Sequence, residues 1–194
     1  MKNKSAFTMI ELVFVIVVLG ILASLAMGRM DRDLRQEASA HILSHIRLTQ
    51  QLALRDNKHR SDNNSTWQKS YWQIDFNCTS DCKYSVGSDL NLDAFLEMSE
   101  SAIDPTDGSY IFNISLKDKF GIKTIDSTNC FNTQSIAFDY LGRPDINNST
   151  SSNDFSNIMI TDCNLTFTMF TDDDFIIIIE SETGHAFIVG QEES

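Results

Sequence analysis

No Lys or Arg follows Arg143, yet the same stretch carries ten acidic residues (Asp145, Asp154, Asp162, Asp172, Asp173, Asp174, Glu180, Glu182, Glu192 and Glu193). Phosphate binding depends on clustered basic side chains that displace condensed counterions. This stretch therefore argues against a nucleic-acid surface there, and its acidity disfavours docking on anionic lipid. With only 2 Pro and 8 Gly, the chain is neither a proline-rich spacer nor a collagen-like repeat. A Gly-rich phosphate loop is missing, and so is Gly-x-Ser-x-Gly. Histidine is scarce, at 4 residues. His59 falls in a polar loop and His185 in a tight turn beside acids, so both read as solvated residues rather than triad bases. No feature supports an enzyme, and none is expected.

What is present suffices for one compact domain with appendages: 194 residues, 42% of them hydrophobic, with a net charge of −12. Met1-Lys2-Asn3-Lys4-Ser5-Ala6 is short and basic. Phe7 through Ala26 then supplies 20 residues with a single charge, Glu11. As a helix this run spans about 30 Å, the thickness of a bilayer's hydrocarbon core. Composition and length thus predict a membrane segment. A carboxylate at the centre of such a segment costs about 2.5–3.5 kcal/mol, less near its end where Glu11 lies, and such residues usually have a partner.

Ala6-Phe7-Thr8-Met9-Ile10-Glu11-Leu12 resembles the type III signal sequence of type IV prepilins and type II secretion pseudopilins. The resemblance rests on a short basic leader, a small residue, then Phe, with Glu five positions into the mature chain and an apolar run following. It implies cleavage between Ala6 and Phe7 by a prepilin peptidase, and N-methylation of the new Phe7 amine. It also implies that Glu11 pairs with the Phe7 amine of a neighbouring subunit. A carboxylate and an ammonium that meet lower each other's desolvation cost. Two positions depart from the family pattern: Ala6 stands where Gly is preferred, and Gly28 where many major pilins carry Pro. Ser24-Leu25-Ala26 also fits the cleavage site of an ordinary secretory signal, and a plain uncleaved anchor is a further alternative. Lys2 and Lys4 face Arg29, Arg32 and Arg35 across the segment, so the charge rule does not set orientation; the resemblance does.

Leu34, Ala38, Ile42, Ile46 and Ala53 continue at helical spacing, widened by Leu48 and Leu52. One helix from Phe7 to about Asp56 would measure about 75 Å. The polar run from Asp56 to Asn64 ends it. His41 and His45 share a helix face with Glu37, but the His-Glu-x-x-His pattern is absent and a solvated polar face accounts for them; no metal is expected. The four cysteines allow three pairings. An oxidising compartment makes disulfides the default, and Cys78–Cys82 with Cys130–Cys163 is favoured. The second would close a loop of about 33 residues, contributing about 3–4 kcal/mol in the chain-entropy model. A zinc site of all four thiolates is the alternative, to which the C-x3-C spacing is poorly suited.

Period-two alternation marks strands. Trp72, Ile74 and Phe76 share a face; so do Tyr110, Phe112, Ile114 and Leu116; so do Leu165, Phe167 and Met169. Ile136–Tyr140 is a short strand closed by Leu141-Gly142-Arg143-Pro144. Phe175–Ile179 is a continuous apolar run, read as a strand buried on both sides. Ser181–Gly184 turns into a last strand, Ala186–Val189. Asp172-Asp173-Asp174 reads as a turn, with calcium the lesser alternative because the EF-hand ladder is missing. The predicted fold class is α+β: a long N-terminal helix, transmembrane half plus amphipathic half, packed on an antiparallel β-sheet head. The divisions are leader 1–6, transmembrane helix 7–27, amphipathic continuation 28–56 and head 57–194.

The segments 136–142 and 177–185 weakly resemble the last strands of H-type minor pseudopilins and related minor pilins, through a Phe-x-x-x-Gly turn and a terminal hairpin with Gly before a polar residue. Glu11 counts against the K-type tip subunit. Asn64, Asn77, Asn147 and Asn164 head Asn-x-Ser/Thr triplets with an acid two residues before, a pattern resembling the bacterial N-glycosylation sequon that chance also produces in this composition. The resemblances imply a minor pilin or pseudopilin of a type II secretion pseudopilus, type IV pilus or competence pseudopilus. Its implied partners are other pilin or pseudopilin subunits, the prepilin peptidase and the inner membrane. Its implied place is a single-pass anchor with a periplasmic head, or an extracellular pilus. No cofactor and no nucleic acid are expected. The alternative is a filament-tip binding module that recognises a secreted substrate, a surface or DNA.

Overall fold

The structure, a computed structural model, describes residues 8–27, 33–59, 67–79, 81–130, 135–145 and 157–191. It divides into two units, residues 1–33 and residues 34–194. In the first, helix α1 runs Met9–Met27, about 28 Å by helix rise. It is apolar all round, and its side chains are exposed from Thr8 to Leu22, where their description ends. Among the described residues no helix is long and apolar enough to cross a membrane. The expected span, 7–27, runs past those side chains at both ends. The leader 1–6 and the expected helical join across 28–32 lie outside the described residues.

The second unit opens with α2, Leu34–Arg55. Its buried stripe holds Ala38, Ile42, Ile46 and Ala53, and Leu34, Leu43, Leu48 and Leu52 flank it. The helix stops at Asp56, whose carboxylate accepts from Trp72 Nε1 at 3.0 Å and pairs with Lys58. The head forms two antiparallel sheets where one meander would be read. Five strands make the first: β1 Trp72–Asn77, β2 Lys83–Ser88, β3 Ile114–Ser115, β5 Ser135–Phe138 and β6 Pro144–Asp145, in the order β3-β2-β1-β5-β6. The second orders β4 Ile122–Thr128, β7 Cys163–Met169, β8 Phe175–Ile179 and β9 Ala186–Ile188 as β4-β7-β8-β9. A short helix α3, Leu116–Phe120, precedes β4. It is capped by the Ser115 hydroxyl, which accepts from Asp118 N, and closed by Gly121.

Both sheets and α2 share one core. Ile74, Phe76, Tyr84, Val86, Ile136 and Phe138 come from the first sheet, and Leu165, Phe167, Phe175, Ile177 and Ile179 from the second. Phe167 stacks on Phe175 at 4.7 Å and meets Phe76 edge-on at 6.1 Å. α2 contacts β1, β2 and β5 on one side and β8 and β9 on the other. Disulfide Cys78–Cys82 spans the β1–β2 turn. Disulfide Cys130–Cys163 staples the paired ends of β4 and β7, beside the Thr128–Asn164 register pair.

Two strand expectations need correction. Residues 110–116 are not one strand. Asn113 takes the left-handed conformation (φ 52°), which breaks the alternation, so Ile111 is buried instead of Phe112 and Tyr110 is exposed. Leu116 is buried but begins α3. The run Phe175–Ile179 does sit inside its sheet, but only Phe175, Ile177 and Ile179 are buried, while Ile176 and Ile178 lie half-exposed on the other face.

The two hairpin turns meet at α2. Gln50 Nε2 donates to Gly142 O at 2.9 Å and to Thr183 O at 2.8 Å. Gly184 (φ 67°) fits there only without a side chain: a Cβ would lie 2.2 Å from Gly142 O and 2.7 Å from Gln50 Nε2. Gly184→Ala is expected to destabilise the chain by about 2–4 kcal/mol, because backbone strain and a clash with backbone add. Chemical denaturation of the detergent-solubilised chain measures it, and an unchanged midpoint would contradict this reading of the junction.

Candidate functional site

Glu11 lies in the first turn of α1 and is exposed. Thr8 O accepts from Glu11 N at 3.1 Å and from Leu12 N at 3.2 Å. The helix therefore starts at Thr8, and the carboxylate sits by the positive end of the helix dipole. The Thr8-x-x-Glu11 spacing is that of a capping box, a local reason for Glu at this position beside any role in assembly. Ala6 and Phe7, the other expected processing residues, lie outside the described residues. The geometry places one anionic handle near the start of an exposed apolar helix, where a cation from outside the subunit can reach it.

Within the head, α2 carries a second polar constellation. His45 is 4% exposed, not solvated as its sequence suggests. Its Nε2 lies 3.1 Å from Asp104 Oδ2 and its Nδ1 lies 2.8 Å from the Tyr84 hydroxyl. The same hydroxyl lies 3.0 Å from His41 Nδ1, and His41 Nε2 lies 3.0 Å from Lys119 Nζ. With both imidazoles neutral, one proton arrangement satisfies all four contacts. Lys119 donates to His41 Nε2, His41 Nδ1–H donates to Tyr84 O, Tyr84 O–H donates to His45 Nδ1, and His45 Nε2–H donates to Asp104. The opposite tautomers would aim an N–H at the lysine ammonium and a lone pair at the carboxylate.

The electrostatics agree with that arrangement. Burial, then His45 and Lys119, lower the pKa of His41 to about 4. Burial also lowers that of His45, against the opposing pull of Asp104. Burial would raise the Asp104 carboxyl, but the hydroxyl and backbone N–H of Thr106, together with His45, hold it below its ordinary value. Ligand atoms of His41, His45 and Asp104 lie within 4.8 Å of one another, so these residues could converge on a cation. Each is already engaged in the hydrogen-bonded chain.

Tyr84, Asp104 and Lys119 complete this chain, and sequence reading missed all three. A signal for His45 was present. Ala38, Ile42, His45 and Thr49 follow one another at steps of four, three and four, placing His45 on the buried stripe. His59 and His185 are exposed, as expected. Asp174 accepts from Met169 N at 3.0 Å and from the Thr168 hydroxyl at 3.3 Å, closing the β7–β8 turn. Asn77 uses its side-chain oxygen on Thr79, Asn164 lies in β7, and Asn64 and Asn147 fall outside the described residues.

Residues 1–27 match the family model of the prokaryotic N-terminal methylation motif. No curated protein and no solved structure matches the chain.

The neutral pair of part-buried His41 and buried His45 makes the head sensitive to acid. As pH falls below 6.5 the unfolded chain takes up protons at His41 that the folded chain refuses until about pH 4. Stability from this source is therefore complete above pH 6.5 and is lost as pH falls toward 4; the lowered pKa of His45 acts in the same direction. The melting temperature of the full chain is expected to fall between about pH 7 and about pH 4.5, and His41→Gln to flatten that fall by removing about one proton of linkage. Identical slopes in the two proteins would refute the assignment.

Proposed function

We propose that this chain, whose residues 1–27 form a type IV prepilin-like leader, is a minor pilin or pseudopilin. It serves as a structural subunit of a type II secretion pseudopilus, a type IV pilus or a competence pseudopilus. The observation that carries the reading is the leader's methylation motif, joined to an exposed apolar helix with Glu11 in its first turn. In this reading the prepilin peptidase cuts between Ala6 and Phe7 and the new amine is methylated, which keeps it charged. Residues 7–27 hold the subunit in the inner membrane with the head outside. On extraction into the filament the Glu11 carboxylate meets the Phe7 ammonium of a neighbour, offsetting the cost of taking either charge from water. The subunit then acts by packing, with no bond chemistry of its own.

Mass spectrometry of the N-terminal peptide from the native membrane tests the processing; a methylated Phe7 terminus is expected, and an intact Met1 or a start at Met27 would overturn it. Glu11→Leu leaves the neighbour's ammonium unpaired in an apolar bundle. Its incorporation into the filament is expected to fall by at least about tenfold while the head keeps its melting temperature. Wild-type incorporation of that variant would remove Glu11 from assembly.

A further inference from the structure

The first sheet turns Ile74 and Phe76 into the core, so Gln73, Asp75 and Asn77 project from its other face. On that face lies a cavity of about 330 Å³, at the small end of the range for ligand sites. Its floor centres on Asp75, directly opposite Ser85 of β2 on one side and Ser135 of β5 on the other. Neither serine is shown serving it: the Ser135 hydroxyl donates to Gln73 Oε1 at 2.8 Å, and the Ser85 oxygen accepts from Asn113 N at 2.9 Å. Among the described residues no donor reaches the Asp75 carboxylate. Burial raises its pKa, with no cation offsetting the effect. A part-buried carboxylate left without donors calls for a partner.

The wall over this floor is built by the segment between β2 and the 3-10 turn Met98–Glu100. Two buried carboxylates hold it. Asp89 accepts from the backbone N–H groups of Leu92, Asp93 and Ala94, and Glu100 from those of Leu90, Asn91 and Glu97. Leu92 (φ 64°) and Ala94 (φ 71°) are thereby kept in left-handed conformations that such residues rarely adopt. Gly87 lets the segment close down, since a Cβ there would lie 2.6 Å from Glu100 O. The result sets Phe95, 73% exposed, and Leu96 at the cavity, with Phe112 also in its lining. Lys69 and Lys83 line it too.

We propose that this cavity binds an ammonium or guanidinium group carried on an apolar stem, the cation on Asp75 and the stem against Phe95, Leu96 and Phe112. The unpartnered Asp75 carboxylate selects the cation, against the repulsion of Lys69 and Lys83 in the same lining, and the three apolar side chains select the stem. The group comes either from a free amine or from a basic side chain of another polypeptide, and the assignment is independent of the filament reading.

Titration of the full detergent-solubilised chain, followed at the Asp75 carboxyl carbon by NMR, tests it with four probes. These are phenethylamine, 2-phenylethanol, 3-phenylpropionate and an acetylated, amidated Leu-Lys-Leu peptide. Phenethylamine is expected to give a saturable shift at least about tenfold tighter than the alcohol. Asp75→Asn, followed at neighbouring amides, should bring the amine to the level of the alcohol without lowering the melting temperature. Phe95→Ala, at an exposed position, should weaken amine and alcohol alike. Tighter binding of the peptide than of the amine assigns the site to a polypeptide side chain, and the reverse to a free amine. Equal affinity for amine and alcohol would overturn the proposal, as would unchanged amine binding in Asp75→Asn. So would preference for the carboxylate probe, which would give the site to Lys69 and Lys83.

Discussion

The Gln50 carboxamide donates to the carbonyls of Gly142 and Thr183 at once, and the head's arrangement around α2 depends on that pair of hydrogen bonds. Each sheet ends a hairpin there, the β5–β6 turn from one and the β8–β9 turn from the other. The carbonyl of buried Gly142 needs a partner, and the side chain that supplies it also reaches the carbonyl of exposed Thr183. The turns approach so closely that one must be glycine. Around this point the neighbouring bonds follow the same logic. Asp139, fully buried, fixes the first turn by accepting from Leu141 N and Arg143 N and by pairing with the Arg143 guanidinium. Arg47 donates to Ala186 O at 2.9 Å and fixes the last strand to α2. The helix serves as the shared wall of two sheets that form separate hydrogen-bonded ladders.

A shared wall leaves less room for error than a single covered face. Its stripe must be apolar toward both sheets, and where it is not, polar groups must be matched across the core. The chain from Lys119 through His41, Tyr84 and His45 to Asp104 is that match. Its Lys119 end is exposed and its middle members stay neutral, so the one charge that burial desolvates is the Asp104 carboxylate, which Thr106 and His45 offset. Keeping both imidazoles neutral avoids two buried like charges whose rings lie 4.4 Å apart. The same economy limits the head to conditions in which histidine is neutral.

Much of this was legible because it is local. Period two marks Trp72–Asn77 and Cys163–Met169, and period 3.6 marks the α2 stripe. The Phe138-to-Gly142 turn and the Thr183-Gly184-His185 turn could be read as glycine positions, although not that they touch. What escaped reading depends on partners distant in sequence. The split into two sheets is decided by which strands find each other. The break at Asn113 is one left-handed residue in an otherwise strand-like pattern, and Asn adopts that conformation more readily than most residues. His45 was assigned to a solvated face because its neighbour four residues away, His41, suggested polarity, whereas its acceptor lies 59 residues further on. The segment 89–97 carries no periodic signal, since its shape is imposed by two carboxylates that it bends around.

The two units make opposite demands on their surroundings, and this links structure to assembly. The head's core is drawn from residue 34 onward, with both sheets, α2 and two disulfides contributing. Its apolar residues find one another within the unit. α1 instead exposes Met9, Ile10, Leu12, Val13, Phe14 and the residues after them. Exposure of that many large apolar side chains has a physical remedy only in lipid or in other apolar helices. Both environments penalise the Glu11 charge, and of the two only a bundle of like helices brings a cation of fixed position to it. Under the proposed function, the residue at which lipid would hold α1 least firmly is the one that a neighbouring N-terminus would stabilise. In that proposal, the imbalance would favour transfer from membrane to filament.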